Sequence, residues 1–125
     1  MINSKIIKDC FQADKPLLGI CYGAEIIALT LGGSIWRMPS PVRGVIPLHV
    51  RKDNRMIIDR KSVLVFESHI YCIAKLPDDF DSIASSRFCN HEIFSHKKKD
   101  IFGTQFHPEK SGQVGLDIFS NFLIA

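Results

Sequence analysis

The stretch that most constrains this chain is Pro16 to Gly33, PLLGICYGAEIIALTLGG. Leu17 to Ile20 is a short apolar run suited to a buried strand, and Ala24, Ile27, Ala28 and Leu31 then recur at the spacing of one helical face. The backbone must therefore turn from strand to helix at Cys21. A corner that sharp leaves little room for side chains two residues to either side, and glycine stands at both places, Gly19 and Gly23. The pattern predicts a strained elbow that presents the Cys21 side chain. At the first turn of a helix, free N–H groups and the positive end of the dipole are expected to favour its thiolate. The same residues also fit a buried cysteine with no chemistry attached, so a second element has to decide between the readings.

That element is Gly103-Thr104-Gln105-Phe106-His107-Pro108-Glu109, where a histidine and a carboxylate two residues apart follow a strand-like apolar run, Ile101 to Phe106. A cysteine nucleophile needs a base, and the base needs an orienting group. His107 can take the thiol proton and return it to a leaving amine, while Glu109 can hold the imidazole in the useful tautomer. Pro108 fixes one backbone dihedral between them.

GICYG followed by an apolar helix ending in Gly-Gly, then GTQFHPEKSG before a C-terminal helix, resembles the class I (triad) glutamine amidotransferases, and within them those of GMP synthetase type. The resemblance runs from about Lys15 to the C-terminus. It implies a triad of Cys21, His107 and Glu109, and hydrolysis of a glutamine side-chain amide through a γ-glutamyl thioester, with no metal or organic cofactor required. The expected partners are L-glutamine and a synthase subunit of ATP-pyrophosphatase type that accepts the ammonia. Gly19, Tyr22, Gly23, Glu25, Ser68 and His69 are the expected substrate-side residues. Among them, the Tyr22 N–H is a natural oxyanion donor, being the amide after the nucleophile.

The chain departs from that family at three places. Glu25 stands where members usually carry a substrate-contacting glutamine. Ile70-Tyr71 follows Ser68-His69 where GMP synthetase-type relatives have Gly-Asp. Nothing before Lys15 resembles the strands and glycine-rich oxyanion loop with which the family's domain begins, so the chain looks N-terminally incomplete.

At 125 residues the chain suits one domain, 1–125, and its 46% hydrophobic and 23% charged residues are those of a globular protein. Its apolar stretches are too short to span a bilayer and MINSKIIKDC is too charged for a signal peptide, so no membrane role and a cytoplasmic place are expected. A net charge of +3 on scattered lysines gives no case for nucleic acid. Cys10, Cys21, Cys72 and Cys89 form no C-x-x-C pair, so no metal site is expected, and all but Cys21 read as small buried residues in a reducing compartment.

In chain order, Ser4 to Phe11 reads as an amphipathic helix. Ser34 to Arg37 reads as a short extended piece, and Gly44 to Val50 as an edge strand because of Pro47. Ser62 to Glu67, SVLVFE, reads as a strand buried on both faces, which places Ser68 and His69 beyond its carboxyl end, where ligands bind in open α/β sheets; a satisfied loop histidine is the other reading. Ser82 to Phe88, Glu92 to Ser95 and Ile101 to Phe106 read as strands, and Val114 to Leu123 as a closing helix. The expectation is a three-layer α/β domain around a mixed, mainly parallel sheet, flavodoxin-like in outline. A non-catalytic or regulatory relative, a γ-glutamyl hydrolase-type enzyme on the same fold and a plain structural domain remain as other readings.

Overall fold

The structure, a computed structural model, describes residues 2–124. Its elements in chain order are α1 (Ile2–Gln12), β1 (Leu17–Ile20), α2 (Tyr22–Thr30), β2 (Ser34–Val50), β3 (Ser62–Lys75), β4 (Phe80–Ser85), β5 (Ile93–His96) and β6 (Ile101–Thr104). A 3-10 turn, Pro108–Lys110, and α3 (Gly112–Leu123) close the chain.

Successive strand residues point to opposite faces of the sheet, and the sequence uses both faces. Ile93 and Phe102 join Val63, Val65, Ile83 and Ile118 in one core, roofed by α3. Phe94 and Ile101 join Ile7, Ala24, Ile27 and Ile73 in the other, roofed by α1 and α2. These two cores give the three layers expected.

The six strands lie in the order β1-β6-β5-β4-β2-β3. The sheet is mixed, but less parallel than the sequence suggests. Only β1 and β6 pair parallel among the described residues; β2–β3, β2–β4, β4–β5 and β5–β6 pair antiparallel. The connections explain this. β4 to β5 and β5 to β6 are joined by short turns, which suit antiparallel neighbours, whereas a parallel pair needs a long crossover.

The two longest strands also differ from expectation. β2 runs through Pro39 and Pro41 because a register shift between Arg37 and Val42 takes the two prolines out of the ladder. Pro47 has a neighbour on one side, Leu64 of β3, while β4 reaches β2 only at His49 and Val50. β3 is longer than its apolar run and contains Ser68 and His69 mid-strand rather than beyond its end. Nor is it buried on both faces: Val63 and Val65 are buried while Leu64 is 60% exposed. Pairing with β2 carries β3 through the polar residues, so its length follows from its partner.

Cys72 on β3 and Cys89, in the loop before β5, form a disulfide with Cα atoms 5.7 Å apart. This corrects their reading as unlinked buried residues. Sequence spacing gave no sign of the pair because the 17-residue separation is closed by strand pairing. Closing a loop of that size is worth about 3 kcal/mol in the chain-entropy account.

At the elbow, Cys21 caps α2 with φ 53° and ψ −108°, outside the helical and strand regions. The two glycines have different duties. A Cβ on Gly19 would lie 2.5 Å from Ile27 Cδ1 and 2.8 Å from the Gly23 carbonyl, whereas one on Gly23 would meet nothing within 4 Å. Gly19→Ala is therefore expected to destabilise the fold by about 1–3 kcal/mol. Gly23→Ala, in a helix with open space around it, should be neutral or stabilising by up to about 1 kcal/mol. Denaturant unfolding of the two variants measures the contrast, and equal losses would contradict it.

Candidate active site

β1 and β6 lie side by side and parallel, with Ile20 opposite Thr104, so both chains leave the sheet at the same end. Cys21 follows on one and Gln105 to Glu109 on the other. The Cys21 amide donates to the Thr104 carbonyl at 2.7 Å, which ties the elbow to the end of β6.

β3 completes the arrangement. Its carbonyls at 66 and 68 point to the same side, as alternate residues of a strand do. Phe66 O accepts the His107 amide at 2.9 Å, and Ser68 O accepts the Cys21 thiol at 3.8 Å. Ser111 Oγ accepts the Phe66 amide at 2.9 Å and donates to the His107 carbonyl at 2.7 Å, clamping the His107–Ser111 turn onto β3. His107 Nδ1 lies 3.1 Å from Glu109 Oε2, the pairing expected of a base and its orienting group. The thiol itself donates to the Ser68 carbonyl, not to His107.

The electrostatics run against the simple helix-dipole expectation for Cys21. Its thiol is pushed up to about 11, first by burial, then by the charge of Glu25 and less by Glu67 and Glu109. A hydrogen bond from the Tyr22 N–H pulls the other way and is outweighed. One dipole end does not offset burial among carboxylates.

The remaining expected residues fall into two groups. Tyr22 is exposed, and Gly19 and Gly23 shape the corner. Glu25 is buried, and its Oε2 accepts from Gln105 Nε2 at 2.8 Å beneath the elbow. Burial raises the Glu25 carboxyl, while the Gln105 bond and His69 hold it down. His69 turns inward from β3 and its Nε2 meets Glu67 Oε1 at 2.5 Å. Three buried side chains escaped the sequence reading: Gln105, Glu67 and Glu92. Only their position beside apolar runs could have signalled them. The Cys72 and Cys89 sulfurs lie close to His69 but are committed to their disulfide.

The glutamine amidotransferase class-I family model matches residues 2–125. The chain belongs to that family. It is 42% identical over 110 residues to the glutamine-hydrolysing GMP synthase subunit of Thermoplasma acidophilum, covering 86% of this chain and 55% of the relative. It is 35% identical over 121 residues to the corresponding GMP synthase subunit of Methanocaldococcus jannaschii, covering 92% of this chain and 64% of that protein. A solved structure from Thermoplasma acidophilum, described as a GMP synthase subunit, superposes with a TM-score of 0.88 at 37% identity over 97% of this chain and 62% of that one. A glutamine amidotransferase of Thermotoga maritima shares the fold with a TM-score of 0.80 at 22% identity, over 98% of this chain and 53% of that one. This amidotransferase chain thus spans less than two thirds of the length of these relatives. No helix among its described residues is long and apolar enough to cross a membrane.

Because the thiolate is the reactive form, alkylation of Cys21 in the unliganded chain should be slow at neutral pH and rise with a midpoint at about pH 11. Glu25→Gln removes the largest of the neighbouring charges that raise the thiol and keeps an amide that can pair with Gln105, so it should move that rise to lower pH. A profile of iodoacetamide rate against pH, read on the Cys21 peptide, checks both. A midpoint at or below the ordinary thiol value in the unaltered chain would contradict the burial argument.

Proposed function

We propose that this amidotransferase chain hydrolyses the side-chain amide of L-glutamine through Cys21, His107 and Glu109, and delivers ammonia to a synthase subunit of ATP-pyrophosphatase type. The observation that carries the reading is the convergence at one end of the sheet of a cysteine in a strained elbow and a histidine–glutamate pair in the turn that follows the neighbouring strand. GMP synthesis is the favoured use of the ammonia, since the relatives of 35–42% identity quoted above are GMP synthase subunits.

The steps follow from the side chains. His107 takes the Cys21 proton as glutamine enters, and the sulfur attacks the amide carbon. In unliganded sites such bonds are often not yet formed, so the Cys21–Ser68 contact is the resting arrangement. The Tyr22 N–H, which lies against the sulfur, is the donor nearest the developing oxyanion. Collapse of the tetrahedral adduct breaks the C–N bond, and His107 gives the departing nitrogen its proton. Water, deprotonated in turn by His107, then cleaves the thioester and releases glutamate. Glu109 holds the imidazole throughout. Ser68 and His69 border the site on the β3 side, and Glu25 acts from below through Gln105 and charge rather than by direct contact.

Incubation with a chloroketone analogue of glutamine should modify Cys21 and spare Cys10, the other free cysteine. Together with a GMP synthase-type synthase subunit, the chain should release ammonia from glutamine, and Cys21→Ala should abolish it. Modification of Cys10 in preference, or ammonia release that survives Cys21→Ala, would overturn the proposal. Labelling at Cys21 without turnover in any partner's presence would favour a regulatory relative instead.

A further inference from the structure

Two buried acids have no part in the mechanism above. Glu67 on β3 and Glu92, just before β5, are both 0% exposed. Two residues apart on one strand, Glu67 and His69 share a face, and Glu67 Oε1 lies 2.5 Å from His69 Nε2. His69 Nδ1 lies 2.8 Å from the Tyr71 carbonyl, which only accepts, so Nδ1 carries a hydrogen. At the other end, Ser86 Oγ donates to Glu92 Oε2 at 2.6 Å while accepting from the amides of Phe88 and Cys89 at 3.1 Å.

One oxygen on each acid is left over. Glu67 Oε2 and Glu92 Oε1 are buried with no nitrogen or hydroxyl donor in reach, yet the two carboxyl groups bring an oxygen each within 4.8 Å of one another and of a His69 ring nitrogen. Two carboxylates cannot bond to each other; a carboxylic acid and a carboxylate can. A single proton between them satisfies both oxygens at once. The cluster then holds one hydrogen on Nδ1, one shared between Nε2 and Glu67, and one shared between the two acids, and it carries no net charge. That balance suits a site where an unpaired buried charge is costly.

We propose that Glu92 is a carboxylic acid in the folded protein, donates its proton to Glu67, and through the chain Ser86–Glu92–Glu67–His69 positions the Ser68 carbonyl that receives the Cys21 thiol. Glu67 and Glu92 are positioning residues, acting through Ser68, and their role rests on the reading of Cys21 as nucleophile. Ser68 sits between Glu67 and His69, whose side chains are both tied into the cluster, so its carbonyl has little freedom. The proton also matters for charge. Glu67 already acts against the Cys21 thiolate, and losing the shared proton would add a second negative charge behind it.

The groups that face Glu92 are Glu67 and His69 from β3 and Ser86 from its own loop; Glu25 of α2 faces His69. Burial, then the bond and charge of Glu67, push the Glu92 carboxyl up to about 9, with Ser86 and His69 opposing. Since the folded value lies above the ordinary 4.5, the proton's contribution to stability is complete below about 4.5 and is lost as pH rises through about 9.

The test uses the full chain with Glu92→Gln and Glu92→Leu. Gln keeps a donor towards Glu67 but does not titrate; Leu keeps the bulk without the donor. Infrared spectra of the unaltered chain at neutral pH should show a buried carboxylic acid C=O band that Glu92→Gln removes. Its melting temperature should fall as pH rises through about 9, and that fall should be absent from Glu92→Gln. Glu92→Leu should slow alkylation of Cys21 by about three- to tenfold, with Glu92→Gln within about twofold of the unaltered rate. If Glu92→Leu does not fold, the band and the pH slope decide. Absence of the acid band, equal pH slopes, or a stoichiometric divalent cation held by Glu67 and Glu92 would overturn the proposal. None of these readouts requires glutamine turnover, so failure of the glutaminase reading leaves a different signature from failure of this one.

Discussion

The arrangement at the end of the sheet depends on how the free edge of β3 is satisfied. A strand edge carries a row of unpaired carbonyls and amides that must find partners when covered. Here the partners are the two loops that matter for chemistry: Phe66 takes the His107 amide and gives its own amide to Ser111, and Ser68 takes the Cys21 thiol. The requirement to pair one strand edge therefore brings together two segments more than eighty residues apart in sequence. Without β3, Cys21 and His107 would share only the parallel β1–β6 pair, which fixes their level but not their facing.

The same closeness sets the resting charge state. Cys21 lies among Glu25, Glu67 and Glu109, and burial adds to their effect, so the unliganded thiol keeps its proton. A nucleophile held neutral until its base is brought into reach is protected from adventitious alkylation and oxidation. Gln105 works in the same direction, since its hydrogen bond favours the charged form of Glu25, whereas the proposed acid proton on Glu92 works against it by sparing the elbow a further negative charge.

Much of this was legible in the sequence, for a local reason. The elbow is written in Gly19, Cys21 and Gly23 because a strand-to-helix corner is decided by neighbours, and the His107–Glu109 pair because two residues on one turn cannot be far apart. The three-layer plan followed from apolar periodicity. What was not legible depended on pairing across the sheet. β3 looks like a six-residue strand until β2 carries it through Ser68 and His69, and Cys72 and Cys89 look unrelated until strand pairing closes their loop. Glu67 and Glu92 look like polar strand ends until both prove buried and adjacent. Burial of a polar side chain is a property of its partners, and sequence patterning of a single segment does not contain them.

The most direct measurement of the central claim is a search for the covalent intermediate. The chain, mixed with glutamine and a synthase partner, is quenched in acid during turnover, and the peptide bearing Cys21 is weighed by mass spectrometry. A γ-glutamyl adduct on Cys21 is the predicted result, present while glutamine remains and absent from Cys21→Ala. Turnover of glutamine with no adduct on Cys21 under any quench, or an adduct on Cys10, would contradict it.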